Sequence, residues 1–278
     1  MTYAQKIDSN TKVKLKDIDT VPPKKVSEEV AKAETELLHA EIEKLEELMY
    51  ASATHSLLIV LQGRDTSGKD GTIRKLSTCL NVQHANVASF KQPTKDELGH
   101  DFLWRIHKQT PTKGKISIFN RSHYEDVLVT RVHDLIPKSE MKPRYHQINR
   151  FEEMIHVEAN TLILKFYLHI SKKEQEVRLL EREKEVHKAW KLSVGDWKER
   201  QFWGDYTDAF EEMLEHCSAK HAPWFIVPAD KKWYRDLCIA HAIVEALSPF
   251  KKDWEKALEE VGKEAKKELA EYRKSLSK

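Results

Sequence analysis

The chain has 278 residues, 40% of them hydrophobic, enough for one large α/β domain or two small ones. Forty-seven Lys and Arg against forty-five Asp and Glu leave a formal charge of +2, which excludes the global positive field of a protein that wraps duplex nucleic acid; any anion site must be built locally. Three well-separated cysteines, Cys79, Cys217 and Cys238, fit neither a disulfide framework nor a structural zinc site.

Residues 1–27 are polar, end in Val21-Pro22-Pro23 and read as an extended N-terminal arm that packs on the domain. That stretch holds no apolar signal core, and no later apolar run is long enough to span a bilayer, so a soluble cytoplasmic protein without a membrane partner is expected. Ser27 is placed to cap a helix with a stripe at Val30, Leu37, Leu38, Leu45, Leu48 and Met49. Leu57-Leu58-Ile59-Val60-Leu61 is a continuous apolar run, followed at once by a Gly-containing loop and by helical spacing at Ile73, Leu76 and Leu80. Further apolar runs begin at Val87, Ile116, Leu162 and Trp224, and helical patterns cover 95–109, 121–133, 143–158, 205–220 and 231–247. This alternation predicts an α/β domain over 28–249, with a parallel central sheet covered by helices on both faces. Within it, residues 171–200 are dense in charge and poor in apolar positions, as in a projecting helical lid, with a loop at Ser193-Val194-Gly195-Asp196. Residues 250–278 have the spacing of a C-terminal helix that lies on its own domain or on another subunit.

The loop Gly63-Arg64-Asp65-Thr66-Ser67-Gly68-Lys69 carries G-x-x-x-x-G-K between strand and helix. Its backbone amides can surround phosphate, Lys69 can reach the bridging or terminal oxygens, and the helix that continues through Asp70 and Gly71 adds its positive end. Asp70 stands where a Walker A sequence places Ser or Thr on magnesium. Asp65, inside the loop, is suited to bind Mg²⁺ directly or through water, or to take a proton from an attacking phosphate; the plain alternative is that it only fixes a turn.

The third central run ends in Asn120-Arg121-Ser122-His123-Tyr124-Glu125-Asp126, with Arg131 on the following helix. Arg121 suits a phosphate clamp, whereas Asn120 lacks the charge of a Walker B aspartate. Glu125 and Asp126 are candidates to supply it, or are simply the wet face of a helix, and His123 reads as structural. In the lid, Arg178 and Arg182 lie four apart and Lys184, Lys188 and Lys191 share a face, so closure over the loop would line an anion channel. Interspersed Glu174, Glu176, Glu181, Glu183 and Glu185 leave a solvated helix as the alternative. Trp104, Trp203, Trp224 and Trp233 read as packing residues, and no motif for reading nucleic acid is visible.

Taken in order, LQGRDTSGKDGTIRKL, ASFKQPTKDELGHDFLWRIHKQTP, GKISIFNRSHYEDVLVTRVH, INRFEEMI, LKFYLHISKKEQEVRLLER, WKLSVGDWKER and APWFIVPADKKWYRDL closely resemble the second polyphosphate kinase family over roughly residues 30 to 248. The resemblance implies a three-layer P-loop kinase fold like that of thymidylate kinase, with a helical lid. It implies transfer of the terminal phosphoryl group of inorganic polyphosphate to purine nucleotides, AMP and ADP and by extension GMP and GDP, with Mg²⁺ or Mn²⁺. Carried onto this chain, it marks Gly63 to Lys69 as the Walker A-like loop, Asp65 as its magnesium-linked acid and Arg121 as part of the Walker B-like segment beginning at Asn120. Arg178, Arg182 and the basic residues before WKLS are marked as a lid over the phosphates. FNRSHYEDVL is similar to the branch that accepts both mono- and diphosphates, where Glu125 helps to position acceptor or metal. Assembly in the family, with amphipathic helices near each end here, implies a homodimer or homotetramer. An ATP-dependent nucleoside monophosphate kinase and a non-catalytic polyphosphate-binding protein remain the alternatives.

Overall fold

The computed structural model describes residues 3–9 and 11–276, with the backbone alone at 186–188, so Lys188 of the lid series lies outside the described side chains. Six strands, β1 (Gln5–Ile7), β2 (Ser56–Gln62), β3 (Ala85–Ser89), β4 (Ile116–Asn120), β5 (Thr161–His169) and β6 (Trp224–Pro228), form one sheet in the order β1-β6-β5-β2-β4-β3. The fully buried β2 lies between β4 and β5, with Leu57 opposite both Ile116 and Leu162. The chain therefore leaves its central strand directly into the phosphate loop, at the carboxyl edge where open α/β sheets bind ligands.

Side chains alternate across β2. Leu57, Ile59 and Leu61 join one core with Ile42, Leu45 and Met49 of α1 (Glu28–Ser52). Leu58 and Val60 join the other core, with Phe119, Ile148 and Met213. Three layers result, as the apolar runs imply.

The sheet is mixed rather than wholly parallel, because β1 pairs antiparallel with β6, Gln5 opposite Ile226. The arm is thus the edge of the sheet: Ile7 is buried, Ser218 Oγ donates to the Ile7 carbonyl at 2.6 Å, and the Leu15 amide donates to Glu211 at 2.8 Å. A three-residue strand was too short to signal itself by periodicity, and it protects the β6 edge.

The helices are α1, capped by the Ser27 hydroxyl, which accepts from the Val30 amide at 3.3 Å, then α2 (Lys69–Leu76), α3 (Trp104–His107), α4 (Glu125–Val132), α5 (Met141–Ala159), α6 (Lys172–Lys184), α7 (Val194–Glu199), α8 (Trp203–His216), α9 (Lys232–Leu247) and α10 (Lys251–Leu276). Two predicted elements change. The helix expected over 95–109 is only a 3-10 turn at Glu97–Gly99 and the single turn α3, because the chain extends at His100. The loop expected at 193–196 instead starts α7, with Ser193 Oγ accepting from the Gly195 amide at 3.0 Å. The start of α10 lies on its own domain: Trp254 is buried and its Nε1 donates to His55 at 3.1 Å.

Under the second core sits a buried polar cluster. Lys165 Nζ donates to Glu152 at 2.6 Å, to the Tyr124 hydroxyl at 2.8 Å and to the Cys217 carbonyl at 2.6 Å, and all three side chains are inaccessible or nearly so. Burial pushes the Glu152 carboxyl up, but Lys165 and His123 more than offset this and leave it below the ordinary range. A carboxyl lowered in the fold stabilises it above the unfolded-state value, and that contribution is lost as pH falls through the folded one. Lys165→Met should lower the unfolding free energy in urea by about 3–5 kcal/mol by stranding Glu152, and the double variant Lys165→Met, Glu152→Leu should recover most of it. Equal loss in single and double variants would count against the pair.

Candidate active site

The loop between β2 and α2 is held by its carbonyls. Lys69 Nζ donates to the Gly63 and Arg64 carbonyls at 2.7 and 3.1 Å, and Gln175 Nε2 to that of Asp65 at 3.1 Å. Arg178 Nη1 takes those of Thr66 and Ser67 at 3.0 and 3.2 Å, and Arg235 Nη1 that of Gly68 at 3.2 Å. All six carbonyls from 63 to 68 thus accept from a side chain. Gly68 sits at φ +110° with Arg235 so close that an added Cβ would come within 2.2 Å of its Nη1, which leaves room only for glycine. Thr66, at φ 64°, holds a left-handed conformation without that freedom, a local strain of the kind stored at binding loops.

The second strained residue is Arg121, at φ 61°, just beyond β4. Its Nη2 donates to Asp65 Oδ1 at 2.7 Å and its Nη1 lies 3.7 Å from Glu125 Oε2. Burial opposes the Arg121 charge, yet Glu125 and Asp65 outweigh it and its pKa rises. Glu125 is pushed up, chiefly by burial, against the pull of Arg121 and Lys69. Lys69 is pushed down by burial and then by Arg121. The loop cation, the clamp and two carboxylates thus form one coupled set.

Asp70 and Asn120 meet across the loop. Asn120 Nδ2 donates to Asp70 Oδ1 at 3.0 Å, and Lys191 Nζ, arriving from the lid, donates to Asp70 Oδ2 at 2.6 Å. Burial raises the Asp70 carboxyl, but these two donors overcome it and hold it low. The carboxylate missing at position 120 is therefore present on the other partner of the pair, where it ties the lid to the loop.

Other sequence candidates go elsewhere. Arg178, read as a lid cation, is buried: besides the two loop carbonyls it donates to Glu174 at 2.9 Å and to the Ala229 and Asp230 carbonyls at 2.7 and 3.0 Å. Arg182 closes the lid on itself through Asp196 at 2.7 Å and the Lys191 carbonyl at 3.1 Å. Arg64 donates to the Trp203 carbonyl at 2.9 Å and Thr207 at 2.7 Å, with its guanidinium 3.8 Å over the Trp203 ring. Asp126 faces away, toward Arg105 and Arg144 at 3.9 and 3.6 Å, and burial pushes its carboxyl up to about 6. Arg131 pairs with Glu212 at 2.5 Å, and Lys184 is exposed at the end of α6. A Cβ added at Gly71 would lie 3.4 Å from Arg235 Nη1.

A cavity of about 230 Å³ opens from the loop, lined by Asp65, Arg121 and Glu125 together with Leu128, Val129, His133, Glu199, Arg200, Tyr206 and Phe210. Larger surface hollows, up to about 740 Å³, lie away from the loop. Sequence reasoning missed Gln175, Arg235 and the α8 wall; a buried polar residue inside an apolar helical stripe was the one available signal for Arg235. Among the described residues no group of three or more His, Cys, Asp or Glu could by itself hold a metal ion. Asp65 and Glu125 on one cavity do suit an ion that shares its coordination with substrate phosphates, the usual manner of Mg²⁺.

Fold and site together define a P-loop phosphotransferase with a helical lid. The family model described as Polyphosphate kinase 2 (PPK2) matches residues 25–255. The chain is 48% identical over 211 residues to the AMP/ADP-polyphosphate phosphotransferase of Meiothermus ruber, 76% of this chain and 79% of that one. It is 41% identical over 258 residues to the ADP-polyphosphate phosphotransferase of Rhodopseudomonas palustris, 87% and 88% of the two chains. The crystal structure of Polyphosphate Kinase 2 from Arthrobacter aurescens superposes with a TM-score of 0.83 at 36% identity, covering 89% of this chain and 92% of that one. The chain belongs to the polyphosphate kinase 2 family.

Since Arg121 holds down the Glu125 carboxyl that burial raises, Arg121→Gln should move the Glu125 midpoint, followed by carboxyl ¹³C NMR, to higher pH than in the parent protein. An unmoved midpoint would show that the two are not coupled.

Proposed function

We propose that this chain transfers the terminal phosphoryl group of inorganic polyphosphate to AMP and ADP, and by extension to GMP and GDP, forming the corresponding di- and triphosphates. The observation that carries the reading is the loop itself. With its carbonyls bound by side chains and the Ser67 amide donating to the Arg64 carbonyl at 3.1 Å, the loop can turn its other amides to phosphate beside a cavity lined by Asp65, Arg121 and Glu125. Names of relatives supply the donor: the Meiothermus ruber and Rhodopseudomonas palustris proteins are polyphosphate phosphotransferases.

The transfer is in line, from the end of the polyanion to a terminal phosphate oxygen of the nucleotide, so the P–O bond to the departing polyphosphate breaks as the new one forms. The acceptor phosphate is largely ionised near neutral pH, so charge repulsion is the larger obstacle. Lys69, Arg121 and the loop amides bind and orient the phosphates, and the lid, tied down through Lys191 and Asp70, excludes water. Asp65 and Glu125 would hold Mg²⁺, or Mn²⁺ in its place, which when bound screens the phosphate oxygens. Homodimer or homotetramer assembly accords with the apolar positions Val261, Leu269, Tyr272 and Leu276 left exposed on α10. No helix among the described residues is long and apolar enough to cross a membrane.

Crossing polyphosphate and ATP as donors with AMP, ADP, GMP and GDP as acceptors tests the reading: product should require polyphosphate and a divalent cation and vanish with excess EDTA. An absolute requirement for ATP would replace it with a nucleoside monophosphate kinase, and tight polyphosphate binding without turnover with a scaffold. Lys69→Ala and Asp65→Ala should each lower kcat at least about 100-fold with the circular dichroism unchanged. Full activity in both would contradict the site.

A further inference from the structure

Charged side chains of the loop and apolar side chains of two helices line the cavity together, and one helix runs along it. On α4, Leu128 and Val129 lie three and four residues after Glu125, and His133, the residue that caps the helix, lies four after Val129, so all four line the cavity from one side. From Glu125 to His133 is eight residues, or about 12 Å at the helical rise, comparable to the reach of a nucleotide from its phosphates to the far edge of its base. Tyr206 and Phe210 of α8 line the same cavity, so a flat ring entering it meets both aliphatic and aromatic side chains.

Beside His133 the cavity meets the carboxylate of Glu199. Glu199 Oε2 accepts from the Tyr206 hydroxyl at 2.7 Å and lies 3.0 Å from His133 Nε2. An ionised carboxylate can only accept, so the imidazole donates there. Burial, and then Glu199 itself, push the Tyr206 hydroxyl far above its ordinary range, which keeps it a donor. Both described hydrogen bonds of Glu199 fall on the same oxygen, and Oε1 remains to accept from whatever occupies the cavity.

We propose that Glu199 reads the base of the acceptor nucleotide and favours a purine with an amino group rather than an oxo group at position 6. The inference rests on the acceptor reading above and deepens it. An adenine amino group would donate to Oε1, whereas a 6-oxo purine would set a carbonyl against a carboxylate, leaving two buried acceptors without a donor between them. With Oε2 occupied by two donors, the carboxylate is also denied the paired acceptance that guanine would offer through N1–H and its 2-amino group, and Oε2 is closed to the single N1–H of hypoxanthine. Tyr206 and His133 are positioning residues that act through Glu199.

The test compares kcat/KM for ADP and for inosine diphosphate, which differ at position 6 and in the N1 proton that accompanies it, with polyphosphate as donor. The parent enzyme should prefer ADP by about tenfold or more. Glu199→Gln, whose carboxamide can turn its amino group to the 6-oxo position, should lower that ratio at least about tenfold with the KM for polyphosphate unchanged. Tyr206→Phe, which releases Oε2 to accept from N1–H, should shift the ratio in the same direction and decides the matter if the first variant fails to fold. An ADP to inosine diphosphate ratio unchanged within about twofold in both, with turnover intact, overturns the assignment while leaving the proposed activity standing. Absence of polyphosphate-dependent turnover with every nucleotide in the parent protein would remove the activity and this inference together.

Discussion

The site depends on drawing the six carbonyls of residues 63–68 outward. A loop that offers amides to phosphate must turn its peptide units so that the carbonyls face the other way, into protein, where an unpaired acceptor is costly. Gln175 and Arg178 on α6, Arg235 on α9 and the loop's own Lys69 meet that requirement. Two helices far apart in sequence thus converge with Lys69 on six residues, and the strain at Thr66 and the glycine at 68 accompany the path they hold.

Charge is arranged on the same plan. A site for two polyanions must concentrate cations without becoming unstable when empty of them, and each cation here has an internal partner: Arg121 has Asp65 and Glu125, and Lys191 has Asp70. Phosphate entry then exchanges one set of anionic partners for another. The Asp70 carboxylate and Asn120 carboxamide reverse the usual distribution of a hydroxyl on the loop and a carboxylate on the strand, while keeping one hydrogen bond between them.

Most of the fold was legible because β2, β4, β5 and β6 are buried on both faces and read as continuous apolar runs, with helical stripes between them. β1 was not, since three residues with one buried side chain give no period, and its partner is more than 200 residues away. Within the site, the G-x-x-x-x-G-K spacing marks the loop, Arg121 was singled out from its place after β4, and Glu125 was a candidate on the next helix that its solvated face could equally explain; the structure brings Arg121 and Glu125 together with Asp65 on one cavity. Arg178 illustrates the limit. Its spacing from Arg182 marks one helical face, but spacing cannot tell a guanidinium aimed at solvent phosphate from one aimed at backbone carbonyls 111 and 112 residues back in the chain. Glu199, His133 and Tyr206 come together only through the packing of α4 against the segment that runs from α7 into α8, which no local pattern encodes.

Hydrogen exchange of the amides of residues 63–69 in Arg178→Gln tests the central claim most directly. If Arg178 holds the loop by its carbonyls, exchange across the loop should quicken at least about tenfold before any substrate is added, and polyphosphate should restore only part of the protection. Unchanged exchange in the free protein, with a loss confined to turnover, would mean that Arg178 acts on the phosphates and that the loop keeps its shape without it.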